Sequence, residues 1–148
     1  MQAIGTWKGG FETVLEDGRA HSVMVDLPAQ EGGHSSGTSA LELCVLSLAG
    51  CISTIFAVVA HKRHLPYQSL MVALEADRPK GAPTISSVRG TVRIRTRSDP
   101  AEMETALRLT LRTCPVGVIF ERAQIPVDVR LIVTPPATSS PAAEPPTA

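Results

Sequence analysis

The order of hydrophobic patterns along the chain predicts an α+β fold: strands, a long helix, more strands, two further helices and a final strand. Three observations carry this. Short alternating segments punctuated by glycine open the chain, as in Phe11-Glu12-Thr13-Val14-Leu15 and Ser22-Val23-Met24-Val25-Asp26-Leu27. An uninterrupted uncharged run, residues 43–60, occupies the middle. A second alternating pair, residues 70–76 and 87–95, follows it.

Each element has its local cause. Gly9-Gly10 and Asp17-Gly18 are turn signals that fold the first strands into hairpins. Pro28 stops the third strand, and a glycine- and serine-rich loop, residues 30–37, leads to the helix. Thr38 or Ser39 can cap that helix, and Glu42 stands three residues after Ser39, which makes a capping box. The helix runs to about His64, and Pro66 ends it. It is apolar on all sides for most of its length, so protein must wrap it, and a second copy of the chain is expected to supply part of the cover. The run is long enough to suggest a membrane span, but Ser47, Gly50, Cys51, Ser53 and Thr54 interrupt it and no second apolar segment accompanies it, so it reads as a buried core helix.

In residues 87–95, Val88, Gly90, Val92 and Ile94 alternate with Arg89, Thr91, Arg93 and Arg95, giving a core face and a basic, solvated face. Asp99-Pro100 opens a second helix whose apolar face is Met103, Ala106, Leu107 and Leu111. Cys114-Pro115 starts a short helix through Ala123, and residues 127–133 form the last strand. These elements form one domain, residues 1–134. From Pro135 to Ala148 the chain is Pro, Ala, Ser, Thr and one Glu without apolar pattern, and is expected to be a disordered tail.

Charge and composition exclude some functions. Lys and Arg balance Asp and Glu at 14 each, and aromatics are 3% of the chain, so neither a phosphate-tracking surface nor a base-stacking platform is expected. The three cysteines, Cys44, Cys51 and Cys114, are too few and odd in number for a secreted disulfide framework. With no leader pattern at Met1-Gln2-Ala3-Ile4-Gly5, a cytoplasmic location is expected. His61 and His64 could share a helix face but have no adjacent acidic or cysteine ligand, so no metal site is assigned. Gly32-Gly33-His34 lacks the strand–glycine–helix context of a phosphate cradle.

The cysteines carry the chemistry. Cys44 and Cys51 lie seven positions apart on one helix, about 10.5 Å along its axis, too far for a disulfide, so any internal bridge must use Cys114. A helix N-terminus at Cys114 favours its thiolate. Burial of Cys51 in an apolar helix works against ionisation there, so a reactive Cys51 calls for a nearby cation.

Gly37-Thr38-Ser39-Ala40-Leu41-Glu42-Leu43, followed by Leu48-Ala49-Gly50-Cys51, resembles the helix entry and first cysteine motif of the OsmC/Ohr family. Thr113-Cys114-Pro115-Val116 resembles that family's second cysteine motif, and the resemblance spans about residues 4–134. It implies antiparallel sheets packed around a long central helix, and an intertwined homodimer with active sites at the interface. It implies a thiol-dependent peroxidase in which Cys51 reduces an organic hydroperoxide and becomes a sulfenic acid, Cys114 resolves it to a disulfide, and a lipoyl-type or similar dithiol restores both, without a cofactor. The family's hairpin arginine has no counterpart here; Lys8 is the nearest cation and Arg19 an alternative. The glutamate ten positions before the first cysteine is Leu41 here, with Glu42 one step on. These departures open a second expectation, a non-catalytic dimer of the same fold that binds an apolar small molecule at its interface.

Overall fold

The computed structural model describes residues 1–136. It divides into two compact units, residues 1–44 and the chain from Val45 onward.

The N-terminal unit is a three-stranded antiparallel meander: β1 (Ile4–Gly9), β2 (Glu12–Glu16) and β3 (Ser22–Val25). Gly9 and Gly10 both take positive φ at the first turn, which is why glycine stands there. At the second turn the Asp17 carboxylate accepts the backbone N–H groups of Arg19 and His21, an Asx-type closure. A short 3₁₀ turn, Ala29–Glu31, follows Pro28 in what the sequence presents as loop.

Helix α1 (Ala40–Lys62) begins as the capping box requires. Ser39 Oγ accepts the Glu42 N–H, and the Glu42 carboxylate accepts the Ser39 N–H at 2.8 Å. At the other end His64 takes a left-handed conformation, and the Leu65 N–H returns to the Ala60 carbonyl, a Schellman-type stop before Pro66. Among the described residues α1 is the one helix long and apolar enough to cross a membrane. Its Leu48, Ile52, Phe56 and Ala60 are fully buried, a stripe with a four-residue repeat, as in a core helix. Leu46 and Val58, on its other sides, stay exposed in the single chain.

The second unit adds β4 (Ser69–Asp77), β5 (Ser87–Arg95), α2 (Pro100–Thr113), α3 (Pro115–Arg122) and β6 (Val127–Thr134). Strands β4 and β5 pair antiparallel, but β6 lies parallel to β5, which corrects the expectation of wholly antiparallel sheets. The physical reason is the connection. A strand reached through α2 and α3 returns to the end of the sheet where β5 began, so it runs in the same direction as β5. Val88, Val92 and Ile94 of β5 join Met103, Ala106 and Leu107 of α2 and Phe120 of α3 in the core, together with the α1 stripe. Phe56 meets Tyr67 edge-on, with ring centroids 6.1 Å apart. Of the expected tail, residues 137–148 lie outside the described residues.

Candidate active site

Cys114 occupies the joint between two helices. It closes α2, its N–H bonding to the Thr110 carbonyl at 2.8 Å, and it caps α3, its Sγ accepting the Gly117 N–H at 3.3 Å. Pro115 holds the first position of α3, where no N–H is needed. The thiol is fully buried. A Cβ at Gly117 would stand 3.3 Å from the Cys114 Cβ and 3.5 Å from its sulfur, a tight fit that glycine relieves.

Cys51, half-buried in the middle of α1, is the neighbour of that thiol. Burial first, then a hydrogen bond and charge repulsion from Cys51, together push the Cys114 thiol up to about 11. The Gly117 and Val116 amides pull in the opposite direction. The N-terminus of α3 therefore acts on Cys114 as the sequence suggests, but desolvation is the larger effect and the net direction is reversed: Cys114 is held as a thiol. Both cysteines are free thiols in this structure.

A cavity of about 660 Å³ opens beside Cys114. Its apolar wall includes Leu48 and Ile52 of α1 and Leu111 of α2, and Arg112 and Glu121 supply charge. Sequence reading misses Arg112, Gly117 and Glu121. Arg112 looks like an ordinary basic residue in a last helical turn, and only the proximity of α1 and α2 shows that it borders the cavity. Gly117 could have been found from its place three residues into a cysteine-capped helix.

The other residues singled out from sequence belong to the N-terminal unit and have local work there. Arg19 is paired with the Asp17 carboxylate at 2.9 Å. Glu42 spends its carboxylate on Ser39 and Thr38, whose hydrogen bonds, led by the Ser39 amide, hold it below its ordinary range. Lys8 is exposed on β1.

Glu12, Asp26 and His34 bring potential metal-ligand atoms within 4.8 Å of one another. Their bonds explain the grouping without an ion. Asp26 accepts the amides of Leu27, His34 and Ser36, and Glu12 accepts Ser36 Oγ at 2.7 Å and pairs with His34 Nδ1 at 3.3 Å. Burial works against the Asp26 carboxylate, yet the three amides outweigh it and keep it below its ordinary range. The cluster clasps the loop that leads into α1.

An α+β scaffold that seats a helix-borne thiol against a buried thiol at a helix joint defines the class, a paired-cysteine protein. The sequence profile of the family described as OsmC-like protein matches residues 33–130, and the chain belongs to that family. Among solved structures it resembles an OsmC-like protein from Mycoplasma pneumoniae, at 12% identity over 92% of this chain and 96% of that one, with a TM-score of 0.76. It also resembles an organic hydroperoxide resistance protein OsmC from Legionella pneumophila, at 17% identity over 88% and 96% of the two chains, TM-score 0.70. A third is an organic hydroperoxide resistance protein from Elizabethkingia anophelis, at 15% identity over 90% and 97%, TM-score 0.72. At these identities the likeness is one of fold. No curated protein sequence matches the chain.

Proposed function

We propose that the protein is a thiol-dependent peroxidase that reduces organic hydroperoxides. The observation that carries this is the apposition of Cys51 and Cys114, with burial keeping Cys114 protonated. The Cys51 thiolate attacks the terminal oxygen of the hydroperoxide; the O–O bond breaks, the alcohol leaves with a proton, and Cys51 is left as a sulfenic acid. The Cys114 sulfur then attacks the Cys51 sulfur, water leaves, and a disulfide remains. A dithiol reductant takes up the disulfide and returns both thiols. Such a cycle suits the reducing cytoplasm, where a free pair persists between turnovers.

The ionisation of Cys114 gives the two steps an order. A negative Cys51 opposes a second thiolate beside it. Conversion of Cys51 to a neutral sulfenic acid removes that opposition, so Cys114 becomes easier to ionise when it is needed. Two copies are expected to form the working unit, an intertwined homodimer. Trp7, Leu46, Val58 and Ile119 are large apolar side chains left 71%, 57%, 44% and 64% exposed in the single chain. Sedimentation as a stable folded monomer at micromolar concentration would remove the dimer from this reading.

The deciding experiment is mass spectrometry of the reduced protein after one equivalent of cumene hydroperoxide. A Cys51–Cys114 disulfide is expected. Cys51→Ser should abolish hydroperoxide consumption, and Cys114→Ser should leave a trappable sulfenic acid on Cys51. The cavity beside Cys114, with its Leu48, Ile52 and Leu111 wall, supports a second reading, a non-catalytic module for an apolar small molecule. Unmodified thiols in folded protein that still binds such a molecule would favour it.

A further inference from the structure

The outer face of the β4–β5–β6 sheet is divided by charge. Along one half, Arg89 is neutralised by Asp77 at 2.9 Å and by Glu75 at 3.5 Å, and Arg130 lies 3.7 Å from Asp128. Along the other half, Arg93 and Arg95 lie on the exposed face of β5, with no acidic partner among the described residues. In register, Arg93 stands between Met71 of β4 and Ile132 of β6, and Arg95 between Ser69 and Thr134. Arg97 follows just past the strand. Among the described residues, the side chains of Arg93, Arg95 and Arg97 have no ion pair or hydrogen bond, and all three are exposed. Met71 is 50% exposed and Ile132 38%.

A solvated strand face explains single arginines. It does not explain why, in a chain of zero formal net charge, the arginines of one half of a face are paired with carboxylates while the other half leaves Arg93 and Arg95 unpaired beside two exposed apolar side chains. Arginine beside exposed methionine and isoleucine is the composition of a binding surface, where bidentate donors flank apolar contact.

We propose that this half-face docks an acidic, extended protein segment, with carboxylates on Arg93 and Arg95 and apolar side chains on Met71 and Ile132. The spacing fits. Arg93 and Arg95 are two residues apart on a strand, about 6.6–6.8 Å, the repeat at which alternate side chains of an extended peptide project on one side. Each can take a carboxylate bidentately. A nucleic acid fits less well. A long polyanion laid on this sheet runs onto the half where Glu75, Asp77 and Asp128 outnumber Arg89 and Arg130, and strands β4, β5 and β6 carry no aromatic residue to stack a base. An anionic membrane, being flat and wide, meets the same acidic half.

The test uses the whole chain and a fluorescein-labelled peptide of about twelve residues built from Glu-Leu-Glu-Ser repeats, followed by anisotropy, with amide chemical shifts to map the contact. The peptide is expected to bind and to shift β4, β5 and β6 amides around Arg93. Arg93→Glu with Arg95→Glu should weaken binding at least about tenfold, a loss of roughly 1.4 kcal/mol. Arg93→Gln with Arg95→Gln serves if the charge-reversed protein melts early. Arg89→Gln should weaken binding far less than the Arg93 and Arg95 changes, because Arg89 is already engaged by Asp77 and Glu75. A Gln-Leu-Gln-Ser peptide should not bind. Equal affinity in the double variant, shifts mapping to another surface, or no binding at all would overturn the proposal. So would Arg93- and Arg95-dependent binding of a single-stranded oligothymidylate or of phosphatidylglycerol vesicles without binding of the peptide.

Discussion

The ionisation of Cys114 makes a prediction with a size. Its thiol stands at about 11 against an ordinary 9.0, so at any pH well below 9.0 its thiolate fraction is lower by about 100-fold than that of an ordinary cysteine. Part of this is returned, because a thiolate of higher pKa is a better nucleophile, and with a Brønsted slope of about 0.4–0.5 two pH units return about 6- to 10-fold. Ionisation alone should therefore slow Cys114 by roughly 10- to 15-fold toward a small disulfide reagent at neutral pH, and burial adds steric exclusion on top. The assay compares native and urea-unfolded protein at one pH, quenches at timed points, and quantifies the Cys114 peptide by mass spectrometry. Cys51→Ala removes the hydrogen bond and the charge repulsion but leaves burial, the largest cause, so protection should shrink without vanishing. Native labelling as fast as unfolded labelling would refute the reasoning, and complete loss of protection in Cys51→Ala would refute the ranking of causes. The linkage has a definite sign. The native state holds the Cys114 proton more tightly than the unfolded chain does, so stability falls as pH rises from 9.0 toward about 11.

Three further outcomes follow from the packing. Phe56→Ala empties a fully buried site that touches Tyr67 and should cost about 3–5 kcal/mol in urea unfolding. Gly90→Ala drives a methyl into the Ala73 carbonyl and the Leu74 side chain across the β4–β5 ladder, and should destabilise by about 1–3 kcal/mol with a lowered Tm. Glu42→Ala breaks the capping box of α1 at a cost of about 1 kcal/mol by thermal melting. Because the Glu42 pKa is depressed, the wild-type advantage over that variant should be full at neutral pH and disappear as pH falls through its lowered value.

Periodicity made the strands and helices legible. The alternation of residues 87–95 places Val88, Val92 and Ile94 in the core and Arg89, Arg93 and Arg95 outside, as the structure has them. Ser39 with Glu42, Asp99 with Pro100, and Cys114 with Pro115 each marked a helix start that exists. Strand direction was not legible in the same way, since a period of two is blind to which way a strand runs. The parallel pairing of β6 was implicit only in the two-helix connection that precedes it. The cysteines could be sorted from sequence because helical rise excludes Cys44 and Cys51 from bridging, but the ionisation of Cys114 could not. It is a balance between amide donors, which the motif announces, and desolvation, which depends on α1 packing from far away in sequence. Arg112 beside the cavity and the charge division of the sheet face depend on such tertiary placement as well.

The placement of the two cysteines also divides the mechanical work of the proposed cycle. Cys51 is interior to a helix of 23 residues, held on both sides by intrahelical bonds, and cannot move without breaking several of them. Cys114 has φ −67° and ψ 112°, already extended rather than helical, at the one residue shared by the end of α2 and the start of α3. Any adjustment needed to bring two sulfurs to bonding geometry is therefore cheapest at Cys114. Its cost is also identifiable: the Gly117 N–H bond to Sγ is a cap, and a sulfur drawn into a disulfide is a poorer acceptor for it, so the capping of α3 is what the movement weakens. The bond that helps seat α3 is thus weakened by oxidation and restored by reduction, while α1 keeps its geometry. In the proposed cycle the attacking thiol would sit on the rigid element and the resolving thiol on the joint.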